Sequence, residues 1–155
     1  MAAKASMTEL MHACAAALRL PGRGWSGVLL SGPSGAGKSD LLLRLVNGGW
    51  RAAADDYVHV WSSDHRLYAR APERIADRME IRGLGITPTA ALPLIRVDLV
   101  VRCGDDPPER LPEPAFQTVA GVRVPAIDIQ ALHASAPARL AVALRTLGAG
   151  GPLAY

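Results

Sequence analysis

The octapeptide Gly32-Pro33-Ser34-Gly35-Ala36-Gly37-Lys38-Ser39 limits the folds open to this chain more than any other feature. It fits the pattern G-x-x-x-x-G-K-S/T, and its flanks are those the pattern's mechanism requires. The apolar "WSGVLLS" precedes it, and "DLLLRLV", apolar at helical spacing, follows. A strand delivers such a loop, glycines let the main chain wrap so that its N–H groups converge, and a helix begins where those donors are densest. The natural occupant is a chain of phosphates. Gly32 through Ser39 then form the cradle, Lys38 reaches the terminal phosphates and Ser39 offers a hydroxyl to Mg²⁺. The expectation is an α/β domain whose sheet feeds a phosphate loop (P-loop), with ATP and Mg²⁺ as ligands.

The totals narrow this further. At 155 residues, half of them apolar, the chain suits one core better than two, so residues 1–155 are expected to form a single domain, with 146–155 a loose tail. No apolar run approaches the roughly 20 residues of a bilayer span. Glu9 and His12 interrupt the alanine-rich start in a way a signal peptide would not. A cytoplasmic location is expected, with Cys14 and Cys103 as reduced thiols. The net charge of +3 is carried by arginines scattered singly, and aromatics make up only 5%, which argues against a nucleic-acid partner. Lys4 and Lys38 are the only lysines, and Lys38 sits in the phosphate loop.

Along the chain, two apolar runs around "PGRG" predict a hairpin between about 10 and 31. A helix from Lys38 stops at Gly48-Gly49. "RAAADDYVHVW" reads as a strand flanked by acids, "APERIADRM" as a short helix opened by Pro72, and "EIRGLGI" as a loop that needs glycine. "PLIRVDLVVR" is the clearest buried strand, 104–118 an exposed loop, "GVRVPAIDIQ" two short strand pieces, and "SAPARLAVALRTL" a helix with Pro137 near its start. The sheet this implies is mixed rather than simply doubly wound.

Phosphoryl transfer also needs a carboxylate beside the phosphates. Asp98 lies inside "LIRVDLVV" with apolar residues on both sides, a position suited to an inward polar contact. Asp55 and Asp56 close "RAAADD", sixteen residues past Ser39. Adjacent carboxylates repel, so one can act as base while its neighbour meets a metal. On the residues alone, two solvated acids at a turn is an equally good account.

The succession "GVLLSGPSGAGKSDLLLRL", "GGWRAAADD" and "APERIADRMEIRGLGI" resembles the catalytic domain of the HPr kinase/phosphorylase family, bacterial enzymes acting on a serine of the phosphocarrier protein HPr. The most specific element is "EIRGLGI", and the matching segments run from 11 to 86. The resemblance implies a short form without the N-terminal domain of longer members. It also implies a phosphoenolpyruvate-carboxykinase-like architecture, a hexamer, an HPr-like carrier of a phosphotransferase system as partner, and ATP-dependent seryl phosphorylation at a site that also removes the phosphate by phosphorolysis. By position, Asp55 matches the general base with Asp56 beside it, and Glu80 joins Ser39 in holding Mg²⁺. His12 matches a histidine on the strand before the loop, and Arg110 an arginine that neutralises transition-state charge. Taken alone, His12 reads as structural, and Arg110 reads equally as a solvated loop residue. The segment matching the family's dephosphorylation loop, around "GVRVPAIDIQ", carries no lysine, which weakens the phosphorylase half. Two readings outside this family remain open at this level: a small-molecule kinase, and a nucleotide sensor without turnover.

Overall fold

The computed structural model describes residues 7–151 and 153. In chain order the elements are β1 (Thr8–His12), β2 (Cys14–Leu20), β3 (Gly24–Ser31), α1 (Lys38–Asn47), β4 (Arg51–Ala54), β5 (Tyr57–Ser63) and β6 (Arg66–Arg70). A single 3-10 turn at Glu73–Ile75 leads into β7 (Arg78–Ile81) and β8 (Gly85–Pro88). The chain ends with β9 (Ile95–Gly104), β10 (Ala115–Val119), β11 (Val122–Gln130) and α2 (Ala136–Gly148).

One large mixed sheet runs in the order β1-β5-β6-β9-β3-β2-β4. β9 is its keel. One edge pairs parallel with β3, from Val97 to Arg102. The other edge pairs first with β6, antiparallel through Ile95 and Val97, and then with β11, parallel from Val100 to Gly104. Ten residues of β9 thus serve three neighbours, which explains its near-continuous apolar character: a strand covered on both faces has no side to give to water. β7 and β8 form a separate two-stranded ribbon.

The sheet buries both faces. Cys14, Ala16, Val28, Leu30, Leu99 and Val101 pack with α1 and α2 through Leu41, Leu42, Leu45, Leu140 and Leu144. On the opposite face Ala13, Ala15, Ala17, Leu29 and Val100 meet Val58, Val60, Leu67 and Ala69, because β5 and β6 curl back over it. β2 lies between these layers, and its run of alanines lets both close upon it.

Several expectations meet the structure directly. The hairpin around Pro21 to Arg23 forms β2 and β3, and α1 ends at Gly48-Gly49, with Gly49 at φ 98°. The supposed helix at "APERIADRM" is one 3-10 turn followed by β7. Asp77, at φ 58°, breaks the run, and Arg78–Ile81 pairs with β8. "EIRGLGI" is accordingly the tip of a β-ribbon, with Gly83 and Gly85 both at positive φ. "RAAADDYVHVW" is two strands, interrupted at the acidic doublet. "GVRVPAIDIQ" supplies one strand, β11, because Pro125 sits in it opposite Phe116 without ending the pairing. α2 runs to Gly148 and takes in the start of the stretch read as a tail, while 152, 154 and 155 lie outside the described residues. No helix among the described residues is long and apolar enough to cross a membrane.

The β3–β9 contact is closest at Gly27, where an added Cβ would collide with the carbonyl oxygen of Arg96 and lie 2.8 Å from Ile95 Cδ1. Gly27→Ala is therefore expected to destabilise the protein by about 1–3 kcal/mol, the usual cost of overpacking. Urea unfolding checks this, and an unchanged midpoint would mean that β3 and β9 separate more easily than their pairing indicates.

Candidate active site

β3 ends at Ser31, and the chain then turns through residues 32–37 into α1. Gly32, Gly35 and Gly37 have φ of 140°, 82° and 91°, values that favour glycine. At Gly32 a side chain would also strike the carbonyl of Cys103, and at Gly37 it would come within 2.7 Å of Leu132 Cδ2. Pro33, Ser34 and Ala36 complete the loop, with Ala36 N–H donating to the Pro33 carbonyl at 3.2 Å. Lys38 is only 6% exposed, and its ammonium donates to the carbonyls of Gly32 at 2.6 Å and Pro33 at 2.8 Å. The loop is thus wrapped around its own cation.

β4 returns antiparallel to β2 and ends at Ala54, which places Asp55 beside the start of α1. Ser39 Oγ donates to Asp55 Oδ1 at 3.0 Å, and the main-chain N–H of Glu80, on β7, donates to Asp55 Oδ2 at 3.2 Å. Cys14, on β2, lies beneath the same carboxylate, its thiol 3.5 Å from Oδ1. Asp55 is buried, whereas Asp56 is exposed, so the two acids differ in environment. Asp56 has φ 70°, and Tyr57 N–H closes the three-residue turn onto the Asp55 carbonyl at 2.8 Å. The Asp56 carboxylate accepts from His12 Nε2 at 2.7 Å, and His12 also stacks obliquely on Tyr57.

An open cleft of about 630 Å³ joins these parts, bounded by the phosphate loop, Asp55, Asp56, His12, the Glu80–Arg82 ribbon edge and Leu132. Arg44 fixes the last wall: its guanidinium donates to the carbonyls of Ala131 and His133, pinning the turn that carries Leu132 to α1. Ser39, at the end of the glycine-rich loop, and Glu80, on the ribbon edge, bring hard oxygen donors to the same cleft. Residues of this kind fit a magnesium–triphosphate. Among the described residues no group of three or more His, Cys, Asp or Glu is arranged so that it could hold a metal ion by itself. Mg²⁺ that shares phosphate oxygens needs only one or two protein ligands, so the fit stands.

The structure brings together Lys38, Ser39, Asp55, Asp56, His12 and Glu80, with two differences from expectation. His12 ends β1, two strands before the loop and paired with β5, and it engages Asp56. Arg110 lies exposed in the segment between β9 and β10 and does not line the cleft. Asp98 accepts from Ser26 Oγ at 2.6 Å and from Arg96, an inward contact remote from the cleft. Sequence reasoning missed Cys14 and Arg44. Nothing in the sequence separates Cys14 from an ordinary core thiol, and Arg44 reads simply as an (i, i+4) partner of Asp40 until the turn at 131–133 is placed beside it.

Comparison with known proteins gives three findings. The family model described as HPr Serine kinase C-terminal domain matches residues 11–92. An HPr kinase/phosphorylase of Limosilactobacillus reuteri is 37% identical over 116 residues, which is 66% of this chain and 36% of that protein. One of Bacillus subtilis is 51% identical over 61 residues, 39% of this chain and 20% of the relative. The chain therefore spans little more than a third of the curated relatives it matches. In three dimensions it resembles the Hpr(Ser) kinase/phosphatase from Coxiella burnetii with a TM-score of 0.73, covering 92% of each chain at 23% identity, a likeness of fold.

Burial pushes the Cys14 thiol up to about 12 and the Cys103 thiol up to about 11, the latter despite the nearby Lys38 ammonium. An unfolded thiol ionises near 9. From there up to the native values the unfolded chain has released protons that the folded chain still holds. The thiols' contribution to stability is therefore complete below pH 9 and is lost as pH rises through the folded values. Urea midpoints measured from about pH 8 to about pH 11 are expected to fall, and to fall less steeply in Cys103→Val. Equal slopes for the two proteins would contradict the burial argument.

Proposed function

Because the chain belongs to the HPr Serine kinase C-terminal domain family, we propose that it is a phosphotransferase moving the terminal phosphoryl group of ATP to a serine hydroxyl of an HPr-like phosphocarrier protein. The observation that carries this reading is the contact between Asp55 and Ser39: a buried carboxylate held beside the hydroxyl that opens α1, at the mouth of the phosphate loop. A site that only sensed nucleotide would need the loop but no base.

The chain's own residues divide the work. The main-chain N–H groups between Ser34 and Ser39, at the start of α1, hold the phosphates. Lys38, already stripped of water, exchanges its loop carbonyls for phosphate oxygens and balances the charge that develops during transfer. Asp55 accepts the seryl proton as the serine oxygen approaches the terminal phosphorus in line with the departing diphosphate. His12 holds Asp56, and with it the turn that aims Asp55. Ser39 and Glu80 would hold Mg²⁺, which when bound neutralises phosphate charge. In reverse, inorganic phosphate attacks the seryl phosphate, the serine oxygen recovers its proton from Asp55, and pyrophosphate leaves. One base then serves both directions. By the same kinship the sheet and loop belong to a phosphoenolpyruvate-carboxykinase-like architecture, and the protein assembles as a hexamer in the cytoplasm. The exposed position of Arg110 is open to a neighbouring subunit.

Incubation with terminally labelled ATP, Mg²⁺ and an HPr-like carrier is expected to place label on carrier serine, and adding phosphate to release it as pyrophosphate. Label on small metabolites alone would favour a metabolite kinase. Lys38→Ala should reduce turnover at least a hundredfold, in the range typical of a lost transition-state donor. Asp55→Asn should bind ATP normally and transfer poorly in both directions. A silent Asp55→Asn together with a dead Asp98→Asn would relocate the base.

A further inference from the structure

Asp55 is held by three donors from three separate elements, and one of them has no part in the chemistry described so far. Ser39 reaches it from α1, the Glu80 amide from β7, and Cys14 from β2, directly beneath. Cys14 is fully buried, among the side chains that join the sheet to α1. Ser39 Oγ lies 3.9 Å from its sulfur, so the thiol sits under the meeting point of loop, helix and acidic turn.

We infer that Cys14 is a positioning residue for the transfer reaction, its thiol donating to Asp55 Oδ1 from the core side and so fixing the base against β2. The inference rests on the reading of Asp55 as the base. Its physical basis lies in what each alternative side chain would do. Asp56, next in the chain, has a positive φ and is held by the main-chain closure of Tyr57 and by His12 on the outer side of the turn, while Cys14 meets the Asp55 carboxylate on the inner side. A thiol is a weak donor. It adds direction to a carboxylate already held by Ser39 and the Glu80 amide, where a valine would leave that side of Oδ1 without a donor.

Cys14→Val keeps the approximate volume and removes the contact to Asp55, and Cys14→Ser keeps a donor at the same place. With ATP and an HPr-like carrier, Cys14→Val is expected to lower kcat about fivefold, the effect of one modest hydrogen bond, with KM for ATP unchanged. Cys14→Ser should recover most of the loss. Equal defects in both variants, or a rise in KM matching the fall in kcat, would reduce Cys14 to packing and overturn the inference. A readout independent of turnover is the S–H stretching band in the infrared spectrum. The band absent from Cys14→Val should shift in Asp55→Ala, and a band that stays in place would deny the contact. The two levels separate cleanly: an active Asp55→Asn overturns the base assignment and the positioning role with it. An inactive Asp55→Asn beside a fully active Cys14→Val overturns the positioning role alone.

Discussion

The site exists because one narrow strand lies between two wide layers. β2 carries Ala15 and Ala17 on one face and Cys14 and Ala16 on the other, with Ala13 just before it, all without solvent exposure. Small side chains there let β3 and β4 flank it at full hydrogen-bonded contact while helices close from one side and β5–β6 from the other. The chain leaves β3 through the phosphate loop, crosses in α1 and returns in β4 on the far side of β2. Ser39 and Asp55, sixteen residues apart, are brought within a hydrogen bond as a result. A bulky residue in that strand would widen the gap between the hydroxyl and the carboxylate before it disturbed either one.

Within that frame the charges are arranged unequally. The two acids of the doublet sit in different surroundings. Asp55 is buried under three donors, and Asp56 projects into the cleft mouth against an imidazole. Their separation in environment follows from the turn, since a positive φ at the second residue sends successive side chains to different places. The backbone strain at Asp56 is thus what makes two neighbouring carboxylates inequivalent.

How far this was legible in the sequence varies with the kind of signal. Glycine spacing and the apolar strand before it announced the loop and α1, because both depend on local backbone rules. The inward role of Asp98 followed from its apolar neighbours. The segment from Pro72 to Met79 misled, since a proline, an early acid and apolar residues one turn apart satisfy the rules for a helix. Tertiary pairing with β8 outweighed them, and Asp77 took the strained conformation that pairing demands. Likewise "RAAADDYVHVW" kept a strand's alternation on both sides of the acids, and only the closure onto Asp55 marks the break. Cys14 and Arg44 act on groups 41 and 87 or more residues away, a separation at which periodicity carries no information.

Lys38, clasped by the carbonyls of Gly32 and Pro33, has a consequence for how the cradle meets its guest. The ammonium is buried and central, so an anion entering the loop would compete with two carbonyl oxygens for it. Recognition becomes an exchange of partners around a resident cation, and the same two bonds tie the ends of the loop together.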